Sequence, residues 1–198
     1  WIGYFSPRDN KWNEASNTTT FFFSEGWVNL MYEYAITNIF APWIQLKNIN
    51  MSGENPNKEM YAIAQISKIM GLHRSTDKFG PIPYKQVGNG SFTVEYDSQE
   101  SVYRSFFEEL DEAVTVLYDF YMKANNTVPM ASDVVYEGDV TKWIRLANSL
   151  MLRLAIRVRY ADEVLARTYA EKAIKNPIGV MESIDAVSYT HLRAHETK

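Results

Sequence analysis

Apolar residues return every three or four positions along five stretches of the chain, and most of them are closed by proline, glycine or a run of short polar side chains. The first begins near Glu25, where Trp27, Leu30, Met31 and Tyr34 share one helical face; the spacing predicts a helix that reaches the mid-forties and that Pro42 kinks or ends. A second helix is predicted from about Lys58 to Leu72, with Met60, Ile63, Ser67 and Met70 on one side, Ile66 and Ile69 beside them and Gly71 near its end. His73 then falls at a helix terminus, where a protonated ring favours the last carbonyls. A third helix starts behind the capping pair Asp97 and Glu100 and runs to about Ala124 on a stripe of Val102, Phe106, Leu110, Ala113 and Leu117. Asp139 caps a fourth, Val140 to about Tyr160, which turns Trp143, Leu146, Ala147, Leu150 and Leu154 inward and carries Arg145, Arg153 and Arg157 on another face. The fifth begins near Asp162, carries Leu165, Ala166, Tyr169, Ala170 and Ala173, and stops at Pro177 and Gly179.

The last two helices add a finer pattern. Trp143, Leu146 and Ala147, then Ala166, Ala173 and a proline just past the helix, follow the large, small, small, proline order of a tetratricopeptide unit, in which small residues let two helices approach closely. No strict 34-residue period recurs. The expected fold is therefore mainly α: paired antiparallel helices of tetratricopeptide-like type with long loops. One loop is the aromatic and amide-rich stretch up to about residue 24; another runs from Ser75 to Tyr103 and contains GPIP. Gly80 and Ile82 each precede a proline, so both are pushed out of the α region and the segment reads as a short extended rod. From Val187 the chain changes character, and residues 187–198 are expected to lie outside a helical domain covering 1–186.

Composition narrows the function. A net charge of −4 leaves no basic excess to neutralise a phosphate backbone, so nucleic acid is a poor partner. Without cysteine there is neither a disulfide nor a thiolate nucleophile. The longest apolar stretch, AITNIFAPWIQL, is interrupted and short of the ~20 residues that cross a bilayer.

Candidate chemistry is thin. Glu108, Asp111 and Glu112 lie on one helix face, whereas glycoside hydrolysis needs carboxylates across a cleft; ion pairing to Arg153 and Arg157 of the fourth helix is the better expectation. The glycines of GNGS do not open a helix, so they serve a turn rather than a phosphate. Asp133, Glu137 and Asp139 lack the alternation of a calcium loop and suit capping and turn formation. His191 and His195 are four apart but have no third ligand, so no metal or other cofactor is expected. Trp27 and Trp43, at helical spacing, belong to the core. What remains is the first loop: Trp1, Tyr4, Arg8, Asn10, Trp12 and Asn13 pair flat aromatic rings with amide and guanidinium rims, the makeup that takes sugars.

The order of DKFGPIPYKQV, YDSQESVYRSFFEELDEAVTVL, YEGDVTKWIRLANSLMLRLAIRV and AEKAIKNPIGVM, from about Trp27 to Asp185, resembles the SusD/RagB family of nutrient-binding outer-membrane lipoproteins. The resemblance implies a cell-surface, lipid-anchored, non-enzymatic protein that caps a SusC-like TonB-dependent transporter and delivers glycans or other nutrients to it. It implies that the lipid anchor lies outside the sequence and that the chain is a piece of a longer protein. Tyr4, Trp12 and Asn13 are then the expected ligand contacts, no residue is catalytic, and Phe79, Ile82 and Tyr84 pin the GPIP rod as a brace. Two other classes stay open: a helical-repeat scaffold for peptides or proteins, and an all-α carbohydrate-active enzyme.

Overall fold

A computed structural model describes residues 25–52, 54–91, 93–123, 125–129 and 133–182. The chain there is helical: α1 (Glu25–Ala35), a π-helical turn (Ile36–Phe40), α2 (Ala41–Met51), α3 (Lys58–Phe79), α4 (Gln99–Met122), α5 (Val140–Val158) and α6 (Glu163–Lys175). Tyr4, Trp12, Asn13, the His191 and His195 pair and the stretch from Val187 lie outside the described residues.

The mainly helical fold class is as expected, with several boundaries corrected. The first predicted helix continues to Met51 instead of stopping in the mid-forties, because the π turn sits immediately ahead of Pro42. Proline removes one N–H and crowds the carbonyl four residues back; the wider turn relieves both without breaking the rod. Leu30 and Tyr34, read as part of an apolar face, are 46% and 57% exposed. The second predicted helix runs a full two turns beyond Leu72, to Phe79. Gly71 is therefore not a terminus. It lies inside α3 at the place where Ile39 comes closest, and a Cβ there would meet Ile39 Cδ1 at 2.5 Å. Asp97 does not cap α4; Ser98 does, accepting from Ser101 N at 3.2 Å. Asp139 and Asp162 cap α5 and α6 as expected.

The helices pair antiparallel. Lys68 of α3 meets Glu109 of α4, and Asp77 further along α3 meets Tyr103 nearer the start of α4, so the residue numbers run in opposite directions. α5 packs on α6 and on α4, closing a second pair against the first. Val102, Phe106, Leu110 and Leu117 of α4 and Trp143, Ala147 and Leu154 of α5 are buried, as the stripes predicted. Ala147, Ala166 and Ala173 are buried at the α5–α6 seam, where small side chains permit close approach.

The proline rod joins α3 to α4 within the first pair. Ile82 and Asp97 exchange backbone hydrogen bonds in an antiparallel bridge, N–O 3.2 and 2.9 Å. The Asp97 carboxylate accepts from Tyr84 N and Lys85 N at 3.2 and 2.8 Å. Both ends of an otherwise irregular loop are tied by these bonds. Ile82 and Tyr84 are buried and Phe79 packs against the core, so the segment is the brace its sequence suggested.

Candidate functional site

The innermost charge in the described structure stands under that brace. α3 projects Gln65 and Lys68 inward from the run AIAQISKIM, and Lys68 is 2% exposed at its side chain. Its Nζ lies 2.8 Å from Glu109 Oε2, 4.0 Å from the centroid of Trp43 and 4.6 Å from that of Tyr84. Tyr84 donates its hydroxyl to the same carboxylate at 2.6 Å, and Trp43 Nε1 donates to Gln65 Oε1 at 2.6 Å. Burial drives the Lys68 pKa below its ordinary value against the pull of Glu109, and drives the Tyr84 pKa well up. A lysine with a depressed pKa is a nucleophile in other settings. Here two rings and a carboxylate enclose the amine, and its chemistry is that of a clamp between α2, α3, α4 and the rod. Trp43 is core, as its spacing indicated. Lys68, Gln65 and Glu109 were missed; two polar residues three apart inside an apolar helical run were the available signal.

A cleft of about 430 Å³ opens where the ends of α3 and α5 meet the starts of α4 and α6, lined by Asp77, Tyr103, Arg104, Arg157 and Asp162 among others. Arg157 holds Asp77 at 2.7 Å, and Tyr103 donates its hydroxyl to the same carboxylate. Arg104 reaches Glu100 at 3.0 Å and Asp162 at 2.8 Å. Burial and Asp77 together push the Tyr103 pKa up to about 12. Each guanidinium is answered by a carboxylate, so the cleft is an ion-paired seam. The expected pairing of Arg153 and Arg157 with Glu108, Asp111 and Glu112 is thereby corrected: Arg157 turns to α3, and Asp111 is taken by Lys172 of α6 at 2.6 Å. The reason is register, since α6 rather than α5 runs alongside this flank of α4.

His73 is also corrected. It sits inside α3 at 3% exposure, with Nδ1 3.2 Å from Ile69 O, and caps nothing. Burial lowers its pKa, outweighing Asp77, and Arg153 adds to the lowering. A depressed histidine pKa contributes stability that is complete above the unfolded value of about 6.5 and is lost as pH falls toward the folded value. The protein is therefore expected to unfold in less urea at pH 5 than at pH 7, and His73→Gln to shrink that difference. Urea midpoints at the two pH values check this, and an undiminished difference in the variant contradicts it.

Asp133 behaves as a turn builder. Its carboxylate accepts from Val135, Tyr136 and Gly138 N and from Trp143 Nε1, the last at 2.7 Å. Among the described residues no His, Cys, Asp and Glu cluster could hold a metal, and no helix is long and apolar enough to cross a membrane.

Comparison with known proteins supplies what this geometry does not. A chitin-binding SusD homologue from Flavobacterium johnsoniae superposes with a TM-score of 0.81 at 34% identity, over 89% of this chain and 36% of that one. A SusD homologue from Bacteroides vulgatus gives 0.77 at 33% identity, over 85% and 34%. One from Bacteroides uniformis gives 0.68 at 38% identity, over 77% and 30%. The chain thus spans about a third of the length of these structures. No curated protein matches it. The SusD-like family model, described as Susd and RagB outer membrane lipoprotein, matches residues 1–197. The chain belongs to the SusD-like family of outer-membrane lipoproteins, and the outer membrane is its place.

Proposed function

We propose that the whole protein is a non-enzymatic glycan receptor at the cell surface that passes its ligand to a SusC-like TonB-dependent transporter. The observation that carries this reading is the shared fold with a chitin-binding SusD homologue at 34% identity over 89% of this chain. Capture needs no bond to be made or broken: a pyranose lays its apolar face on an aromatic ring while amides and guanidinium groups take its hydroxyls. Tyr4, Trp12 and Asn13 are the proposed contacts, Trp12 the platform and Asn13 the hydrogen-bonding rim. A lipid anchor would hold the receptor to the membrane, and the transporter would supply the energy of uptake.

Calorimetric titration of the whole protein with chito-oligosaccharides and a panel of other glycans tests the reading. Trp12→Ala is expected to weaken the sugar that binds by about tenfold, the loss of one stacking platform with its buried area. Unchanged affinity discards this site.

A further inference from the structure

The brace carries a loop that its own bonds leave free. Ile82 and Asp97 close its neck, and the Asp97 carboxylate holds Tyr84 N and Lys85 N, so that residues 86–96 hang from a tied base. Within it Asn89 precedes Gly90, the one asparagine–glycine step in the sequence. The chain turns there on two left-handed glycines, Gly88 at φ 89° and Gly90 at φ 80°, and Asn89, Gly90 and Ser91 are exposed. Gly88 lies against α2, where an added Cβ would stand 3.0 Å from Ile44, whereas nothing lies within 4 Å of one added at Gly90. Asn89 N donates to Gln86 O at 3.3 Å, but among the described residues no hydrogen bond engages the Asn89 side chain or the Gly90 N–H. Both are open to solvent.

That openness suits an intramolecular reaction. When base takes the Gly90 amide proton, the nitrogen adds to Asn89 Cγ, the new C–N bond closes a five-membered imide, the Cγ–Nδ2 bond breaks, and Nδ2 leaves as ammonia. Water then opens the ring at one carbonyl or the other. One opening leaves an ordinary aspartate; the other leaves isoaspartate, with the main chain routed through the former side chain. Neither an oxidant nor a reductant enters. The other asparagines are placed differently. Asn55 and Asn176 precede proline, which has no N–H to lose. Asn50 and Asn148 are buried within α2 and α5 and donate to Leu46 O and Gly179 O. Asn57 is engaged in capping α3, and Asn126 is followed by Thr127, whose branched Cβ crowds the attacking nitrogen.

We infer that Asn89 is a site of spontaneous modification, converting through a cyclic imide with Gly90 to aspartate and isoaspartate, and that the tied neck confines the change to the loop. The site is independent of the proposed glycan contacts. Its test is incubation of the whole protein at about pH 8, for the time in which a synthetic peptide of residues 86–91 converts by half, followed by digestion and mass mapping. The mass gain that turns an amide into an acid is expected at Asn89, at a rate within about tenfold of the peptide's and ahead of every other asparagine named above. Part of the product should accept a methyl group from isoaspartyl methyltransferase, and the rate should rise with pH. Asn89→Gln is expected to remove the conversion, since its ring would need six members, and Gly90→Ala to slow it about tenfold by crowding the nitrogen. The aged protein should keep the urea midpoint of the fresh one, because the Ile82–Asp97 bridge and the Asp97 carboxylate bonds lie outside the altered step. An Asn89 that stays intact while the peptide converts overturns the inference and shows the loop covered or held. Conversion undiminished in Gly90→Ala overturns the imide route in favour of direct hydrolysis, and a lowered midpoint overturns the confinement.

Discussion

Glu109→Ala is expected to cost the protein about 3–5 kcal/mol, the usual consequence of removing one member of a buried ion pair. The magnitude follows from what is left behind. Lys68, 2% exposed at its side chain, would keep its ammonium between Trp43 and Tyr84 with no anion within reach. The Tyr84 hydroxyl would lose the acceptor it holds at 2.6 Å. Cation–π attraction of about 1–2 kcal/mol per ring does not offset that desolvation. Replacing the pair together, Lys68→Met with Glu109→Gln, is expected to recover most of the loss, since Met removes the buried charge and the Gln carbonyl keeps an acceptor for the Tyr84 hydroxyl. Urea unfolding of the two variants beside the parent protein decides it. A single-variant loss below about 1 kcal/mol, the worth of an exposed pair, shows that the clamp does not hold the rod to the helices.

Gly138→Ala is expected to cost about 3 kcal/mol or more, while Gly90→Ala costs only about 1–2 kcal/mol. Both glycines have left-handed backbones, φ 79° and 80°. Around Gly90 nothing lies within 4 Å of an added Cβ, so only the conformational penalty applies. At Gly138 the Cβ would stand 2.2 Å from Val128 O, a backbone atom of the residue whose N–H donates to Gly138 O at 3.0 Å beside the Thr127–Asp139 bridge. Relief requires Gly138 to move, and its N–H is held at 2.8 Å by the Asp133 carboxylate that also anchors Trp143. The strain therefore reaches the entry of α5. Thermal denaturation of the two variants distinguishes them, and equal losses contradict the close approach.

The helices were legible because their apolar stripes are long and regular. α4 and α5 each bury the residues their periodicity named, and the caps at Asp139 and Asp162 follow from an acidic side chain one residue before the first turn. Errors arose where local rules met tertiary contacts. Gly71 and His73 look like a helix end to a rule about glycine and histidine, but packing against Ile39 and α5 carries α3 two turns further. Arg157 looked toward α4 by face alone; which neighbour it meets depends on register between helices, which no single-helix pattern contains. The GPIP brace was readable from its prolines, whereas the Lys68 clamp beneath it required knowing that α2, α3 and α4 converge there. The proposed contacts Tyr4, Trp12 and Asn13 stand in a stretch of sequence without periodicity, where chemistry of side chains is the only signal and position in space leaves no trace.

The most direct measurement for the whole account follows the fate of the sugar. The whole protein is held with the glycan that it binds, at saturating concentration, and the oligosaccharide is then recovered and its reducing ends counted. Non-catalytic capture predicts saturable binding with every chain recovered at its starting length. New reducing ends that grow with time and protein concentration would contradict it and place the protein among the carbohydrate-active enzymes.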